Sequence, residues 1–287
     1  MSIIIPVFNE QEGLEKTIQE MNGLLEKPEY ELEVIFINDG STDKSGKILQ
    51  GLAGRSYKVL HHERNRGYGA ALKSGISSAS SEHICITDAD GTYPNSDIFK
   101  LADMLTDDYS MVVGARTGDV VKDSFLRRFP KWFLKKLASY LTGIDIPDLN
   151  SGLRVMKKDV VEKYLNILPD GFSFTTTITL AMITNGYRVQ FVPVNYRVRR
   201  GRSKIRPIRD TLVFIQLIIR TVMYFEPLKV FLPVSLILFA AAIAALIHRI
   251  LVGKGLLVVS VILFMAAIQV LVVGMLADLI NKKASIK

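Results

Sequence analysis

The chain has 287 residues, with 36 Lys+Arg against 28 Asp+Glu and a formal net charge of +8. That length holds one or two domains with full cores, and 49% hydrophobic residues exclude disordered, collagen-like and low-complexity classes. A single cysteine, Cys85 in an apolar run, excludes a disulfide framework and any cysteine-rich metal site.

In chain order, Ser2–Phe8 reads as an apolar strand; it lacks the basic start and long apolar run of a signal peptide. Gln11–Leu25 has helical spacing through Leu14, Ile18, Met21 and Leu25. Leu32–Ile37 is a second strand, and Lys44–Leu52 a helix led by the capping types Ser41, Thr42 and Asp43. Tyr57–His61 (strand), Gly69–Ser78 (helix), His83–Thr87 (strand), Ile98–Leu105 (helix) and Met111–Val113 (strand) continue the alternation. Strands alternating with helices imply a doubly wound, mostly parallel sheet, whose ligands bind beyond the C-terminal strand ends.

Polar clusters sit at those ends. The first strand runs into Pro6-Val7-Phe8-Asn9-Glu10, the second into Asn38-Asp39-Gly40-Ser41-Thr42-Asp43, the fourth into Asp88-Ala89-Asp90-Gly91-Thr92-Tyr93-Pro94, and the fifth into Gly114-Ala115-Arg116. Asp88 and Asp90 can both approach one hard cation, Mg²⁺ or Mn²⁺, whose remaining ligands come from phosphates and water; the other reading is an Asp-rich turn before the next helix. Asp39 can accept from a nucleobase or ribose, or form an Asx-turn. Arg116 can bind a phosphate bidentately or form a surface ion pair. The glycine-bearing turn Asn65–Lys73 has Leu72 where a dinucleotide fingerprint has its third glycine, and it follows the third strand rather than the first.

These clusters, with Ser151-Gly152-Leu153-Arg154 and Gly201-Arg202-Ser203-Lys204, resemble the family 2 glycosyltransferases of GT-A fold, and within them the polyprenyl-phosphate group that includes the dolichyl-phosphate mannose and glucose synthases. The pieces run in family order over residues 1–205. The resemblance implies an inverting enzyme that moves a sugar from a UDP- or GDP-linked donor to a polyprenyl or dolichyl phosphate. It implies donor binding by Pro6, Glu10, Asp39, Asp88, Arg199, Ser203 and Lys204, a Mg²⁺ or Mn²⁺ ion on Asp88 and Asp90, and an acceptor phosphate near Arg116, Ser151 and Arg154. Asp148, Arg116 and Arg154 are the implied catalytic group. Two departures stand out. Thr92 occupies a position where many members carry Gln, and Thr175-Thr176-Thr177 replaces a region where many carry Glu. Arg197, Arg199 and Arg200 could each fill the family's arginine position before Gly201.

Charge is unevenly distributed. Residues 1–115 hold 10 Lys+Arg and 18 Asp+Glu, residues 116–225 hold 20 and 8, and residues 226–287 hold 6 and 2. Within 122–142, Leu126, Phe129, Phe133, Leu137 and Tyr140 share one helical face while Arg127, Lys131 and Lys135 share another, a pattern suited to a helix in the headgroup plane. The stretch 206–227 reads as a second interfacial helix. Val230–Ile247 (18 residues) and Gly255–Ala277 (23 residues) carry no charge, and each can cross a hydrocarbon core of about 30 Å. They define a two-helix transmembrane hairpin over 228–287 with a loop at His248–Lys254. Basic residues before the first span and in the tail (Lys282, Lys283, Lys287) place the catalytic domain and both termini in the cytoplasm.

The expected partners are a nucleotide-sugar, a polyprenyl phosphate and the bilayer, with no nucleic acid, and a homo-oligomer is allowed. One alternative is a processive or other family 2 enzyme acting on a saccharide; against a processive synthase, the only tryptophan, Trp132, lacks a Gln-x-x-Arg-Trp context. An alternative of another class is a non-catalytic membrane scaffold presenting a glycolipid.

Overall fold

The computed structural model of the chain describes residues 1–27, 30–52, 57–117, 136, 138–140, 142–197, 216, 219, 223, 226–252 and 257–285. Most of the stretches expected to form interfacial helices, 122–142 and 206–227, lie outside these residues, as do Arg199, Arg200, Ser203 and Lys204.

The elements are β1 (Ser2–Val7), α1 (Gln11–Leu25), β2 (Glu33–Asp39), α2 (Ser45–Gln50), β3 (Tyr57–His62), α3 (Tyr68–Ser78), β4 (His83–Ile86), α4 (Asp97–Asp103), β5 (Met111–Thr117), β6 (Arg154–Lys157), α5 (Lys158–Glu162), α6 (Phe174–Thr184), β7 (Val189–Asn195), α7 (Leu228–Val252) and α8 (Leu257–Ser285). The seven strands form one sheet of order β3-β2-β1-β4-β6-β5-β7. β6 runs antiparallel to both β4 and β5; the other pairs are parallel. Strand alternation divides the core between two faces. Ile3, Ile5, Val7, Val34 and Phe36 pack with Leu14, Met21 and Leu24 of α1 on one face. Ile4, Ile35 and Ile37 pack with Leu72 and Ile76 of α3 and Ile178 of α6 on the other.

β1 pairs with β4 only over Ser2–Ile4, and with β2 over its whole length. The two strands therefore diverge after Ile4. Pro6 lies in that divergent part, opposite Ile37, where its missing N–H costs no bond to β4. The sheet order also reverses here, since β2 and β3 extend to one side and β4 and β6 to the other.

α7 and α8 pack against each other, with Ser235 Oγ donating to Ala267 O at 2.9 Å and Phe239 and Phe264 rings 5.5 Å apart. Both are long and apolar enough to cross a membrane, and most of their surface is unburied. The α7 helix continues through His248–Val252, so the link between the two helices is shorter than the loop expected at His248–Lys254. The hairpin is joined to the α/β domain, because Val230 packs on a cluster of Ala138, Ile146, Leu149 and Leu180.

Phe36 is fully buried and its ring lies 5.5 Å from that of Tyr57. Phe36→Ala removes the centre of one core face at about 3–5 kcal/mol. Thermal unfolding of the detergent-solubilised chain is expected to show a Tm lower by roughly 10 °C.

Candidate active site

The crevice at the β1–β4 divergence has three walls. The first is the loop after β1, stitched to the loop after β2. Asn9, the one described non-glycine residue with positive φ (55°), accepts at Oδ1 from Thr42 N at 2.8 Å and from Asp43 N at 3.3 Å. Glu10 N donates to Ser45 Oγ at 3.0 Å, and Asp43 accepts from Gln11 N at 3.2 Å and Ser45 N at 2.9 Å. Burial disfavours the Asp43 carboxylate, but the Ser45 and Gln11 donors outweigh it and hold its pKa below the ordinary range.

Asp39 ends β2 but does not open into the crevice; it is 2% exposed. Its Oδ1 bonds His62 Nδ1 at 2.6 Å and Arg66 N at 2.9 Å, and its Oδ2 accepts from Gly67 N at 2.8 Å. His62 Nε2 lies 2.9 Å from Ser74 Oγ. The carboxylate thus orders the turn into α3.

The second wall carries Asp88 and Asp90, both partly exposed, on the loop after β4. Thr92 donates to Asp90 Oδ1 from its hydroxyl at 2.6 Å and its backbone N–H at 3.1 Å. Thr17 of α1 donates to Ala89 O at 3.0 Å. Tyr68 of α3 donates to Asp88 Oδ1 at 3.0 Å. Burial first, and then the Asp88 charge, push the Tyr68 hydroxyl well above its ordinary pKa, so it stays a proton donor. The other side of Asp88 lies against bare backbone, since a Cβ at residue 152 would sit 2.5 Å from Asp88 Oδ2. Only glycine leaves that space, which explains Gly152 in the Ser151–Arg154 motif.

The third wall is the segment 148–154. Asp148 and Arg116 form a two-point ion pair, with Arg116 Nε 2.7 Å from Oδ2 and Nη2 2.8 Å from Oδ1, and Arg116 N also donates at 3.1 Å. The guanidinium lies 5.5 Å from the Tyr196 ring centroid. Burial disfavours the Asp148 charge, yet the Arg116 bonds prevail and hold the carboxyl below its usual range. Ser151 is fully buried, donates to Gly114 O at 2.5 Å and lies 3.3 Å from Tyr93 Oη, which accepts from Gly152 N at 2.8 Å. Arg154 is 0% exposed. Its Nη1 donates to Thr175 O and Thr179 Oγ1, each at 3.0 Å, and its Nη2 donates to Ser151 O. The structure therefore puts Arg154 beneath the crevice rather than in it, with most of its donors engaged internally. Arg197 is tied to Glu20 of α1 at 2.7 Å.

Of the residues singled out from sequence, Pro6, Glu10, Asp88, Asp90, Arg116 and Asp148 surround the divergence; Asp39, Ser151 and Arg154 support it from inside. Tyr68 and Phe172 were not legible as site residues, and Tyr93 stood in the polar cluster after the fourth strand without a role of its own. Phe172 is 81% exposed and stacks on Tyr68 at 5.6 Å, on a loop held to α3 by Ala70 N to Asp170 O (3.0 Å) and by Lys73–Asp170 (2.7 Å). Its only sequence signal was an aromatic beside a glycine.

Asp88 and Asp90 suit a small hard cation. Two carboxylates with an open side match a site completed by phosphate and water, and among the described residues no group of three acidic, His or Cys side chains forms a closed cage.

A family model described as Glycosyl transferase family 2 matches residues 2–165, and one described as GtrB C-terminal hairpin matches residues 226–282. The chain is similar to an undecaprenyl-phosphate 4-deoxy-4-formamido-L-arabinose transferase of Pseudomonas fluorescens, with 29% identity over 62% of this chain and 55% of that one. It is similar to a dolichyl-phosphate hexose transferase of Haloferax volcanii, with 26% identity over 72% of this chain and 87% of that one. It is also similar to a dolichol-phosphate mannosyltransferase of Pyrococcus furiosus, with 29% identity over 72% and 59%. The chain thus spans little more than half the length of the first and third. Among solved structures it shares its fold with glucosyl-3-phosphoglycerate synthase from Mycobacterium tuberculosis, at a TM-score of 0.59 and 18% identity over 77% of this chain and 78% of that one. That protein was crystallised with Mn²⁺ and UDP, and in another crystal with Mg²⁺ and UDP.

The Asp148–Arg116 pair is partly buried, with side-chain exposures of 12% and 30%. Asp148→Asn is expected to cost about 1–3 kcal/mol. Because the folded pKa is depressed, the pair contributes stability above the ordinary carboxylate range of about 4 and loses it as pH falls through the lower folded value. The stability gap between wild type and variant, followed by denaturant unfolding against pH, should therefore close on acidification.

Proposed function

The chain belongs to glycosyl transferase family 2, and from that premise we propose that it transfers a sugar from a UDP- or GDP-linked donor to a polyprenyl phosphate at a membrane surface. The observation that carries this reading is the shared footing of the crevice and the hairpin. Val230 at the base of α7 packs on the cluster containing Leu149, next in sequence to Asp148 at the third wall. An acceptor delivered from a bilayer anchored by α7 and α8 would arrive on that side. The basic residues flanking the hairpin support an orientation with catalytic domain and both termini on the cytoplasmic side.

In this reading the donor's nucleoside lies against Pro6 and Glu10, over the turn that Asp39 orders, and Arg199, Ser203 and Lys204 close over its diphosphate. Asp88 and Asp90 would hold Mg²⁺ or Mn²⁺, which offsets charge on the departing diphosphate. A phosphate oxygen of the acceptor attacks the anomeric carbon, and the bond from that carbon to the diphosphate breaks, inverting the configuration. A phosphate monoester with a second pKa of roughly 6 is largely ionised at neutral pH, so attack requires no strong base. Asp148 suits that chemistry: locked on Arg116 and held ionised, it orients the guanidinium toward an incoming phosphate rather than removing a proton. Arg154 and Ser151 act as positioning residues for the Gly152 backbone against which Asp88 rests. Positioning and charge carry the rate.

The test is transfer of label from nucleotide-sugars to polyprenyl phosphate in membranes containing the chain, with the product identified by mass. Asp88→Asn and Asp90→Asn are each expected to lower kcat by roughly 10²-fold or more at saturating metal. Wild-type rates in Asp90→Asn would remove the metal role, and no lipid-linked product with any nucleotide-sugar would remove the acceptor. Phe172, exposed beside Tyr68 and Asp88, is proposed to meet the isoprenoid next to the phosphate. Phe172→Ala should raise KM for the lipid about 5- to 20-fold with kcat nearly unchanged, as expected for loss of one buried aromatic contact made in ground and transition state alike.

A further inference from the structure

The two carboxylates of the second wall sit on a loop laid along one face of α1. Gly13, Thr17 and Glu20 follow at spacings of 4 and 3, within an arc of about 60°. Each meets the loop at a different point. A Cβ at residue 13 would lie 2.7 Å from the Asp90 carbonyl carbon and 2.8 Å from its Cα, so glycine there permits a backbone-to-backbone approach. Thr17 Oγ1 donates to Ala89 O at 3.0 Å. Glu20 Oε2 accepts from Asn95 Nδ2 at 2.6 Å.

The last of these contacts closes the loop. Asn95 is 1% exposed and stands just before α4, and its Oδ1 accepts from the Thr87 hydroxyl at 2.8 Å. Thr87 is fully buried, and its N–H donates to Ile4 O of β1 at 3.2 Å. One buried amide thus ties the residue before Asp88 to a residue beyond Asp90, and Glu20 holds the outer side of that amide. The other oxygen, Glu20 Oε1, accepts from Arg197 Nη1 at 2.7 Å, and Arg197 N donates to Thr92 O at 2.8 Å. Thr92 in turn donates twice to Asp90 Oδ1. The Glu20 and Arg197 side chains are 23% and 46% exposed, so their ion pair contributes little by itself. The bond from the buried amide to the carboxylate is the stronger hold.

We propose that Glu20 is a positioning residue for the divalent cation: acting through Asn95 and Thr87, it fixes the separation of Asp88 and Asp90. A small hard cation holds its oxygen ligands at about 2.1 Å with little tolerance, so a loop free to widen binds it less tightly. The side chain at residue 20 is matched to this task. Glutamine there could still bond the Asn95 amide in either orientation, because the Thr87 hydroxyl both donates and accepts. Methionine, of similar length, offers the amide nothing and leaves a buried N–H without a partner. The inference deepens the proposed function, on whose metal site it rests, and does not depend on which sugar or lipid is used.

The test uses the full chain in detergent with UDP and, in parallel, GDP present, and reads Mn²⁺ binding from the electron paramagnetic resonance of the free ion. Glu20→Met is expected to raise the Mn²⁺ Kd about tenfold while each folded chain keeps its site, and Glu20→Gln to stay within about twofold of the wild type. Thr87→Val removes the far end of the same tie with little change of shape and should match Glu20→Met. The double variant should bind no more weakly than either single one, because both act through one amide. A role confined to stability would lower the Tm and the number of sites but leave the Kd of the folded fraction where it was. An unchanged Kd in Glu20→Met or in Thr87→Val, an equal loss in Glu20→Gln and Glu20→Met, or additive losses in the double variant would each overturn the assignment. Absence of Mn²⁺ binding by the wild type with either nucleotide would overturn the metal reading itself, and this inference with it.

Discussion

The candidate site depends on a cation sealed inside the protein. Arg154 has no exposed surface, and a charge taken from water is tolerated only where hydrogen bonds and opposite charges replace the lost hydration. Here the guanidinium is held by the Thr175 carbonyl, the Thr179 hydroxyl and the Ser151 carbonyl, with the charge of Asp88 and the hydroxyls of Tyr68 and Tyr93 around it. Desolvation is the largest influence on it and lowers its pKa, as burial must for a cation. The consequence is geometric. Arg154 ties α6 to the turn before β6, and that turn presents Gly152 to Asp88. The carboxylate that faces the crevice is thus fixed from behind by a residue that cannot itself reach a ligand.

The same division between a visible group and a concealed support recurs at each wall. Asp90 is held by Thr92, Asp88 by Tyr68, Arg116 by Asp148, and the turn into α3 by Asp39 and His62. Tyr68 and Tyr93 remain protonated because burial raises both, so each can donate in a place where an ionised group would add to the negative charge of Asp88. Such preorganisation suits chemistry in which charge develops on phosphate oxygens and little bond-making falls to side chains.

Much of this fold could be read from the sequence because its periodicities are strong. The strands β1 to β5 and the helices α1 to α4 show as apolar runs and helical spacings, and the two spans show as charge-free stretches. The antiparallel β6 could not be read this way: Arg-Val-Met-Lys is four residues long and places a buried Arg where a strand signal would want an apolar residue. Asp88 and Asp90 were legible because two carboxylates after an apolar strand are chemically conspicuous. Asp39 and Arg154 were legible as special but not as internal, since a charged residue that serves a ligand and one that serves backbone groups look the same in one dimension. Tyr68 and Phe172 were hidden for the opposite reason: an aromatic residue in an α/β sequence is ordinarily core. The helical continuation of α7 through His248 and Arg249 escaped because polar residues at a span's end read as loop, whereas a helix emerging from lipid keeps its backbone bonds whatever its side chains.

The hairpin and the crevice meet through one short stretch of chain, and that stretch constrains how the proposed reaction can work. Val230 of α7 packs on the cluster that includes Ile146 and Leu149, while Asp148, between those two in sequence, holds Arg116. The Asp148–Arg116 pair thus lies beside that packing, two residues from the Asn150 that Thr176 of α6 bonds. A soluble domain on a flexible tether would keep its site indifferent to the anchor. Here the anchor's first turn is part of the packing that sets the third wall. For an acceptor whose phosphate stays at headgroup depth while its tail stays in lipid, the distance between membrane and anomeric carbon has to be fixed by the protein. The apolar packing of Val230 on the cluster that holds Ile146 and Leu149, the residues flanking Asp148, is where the fold can set that distance.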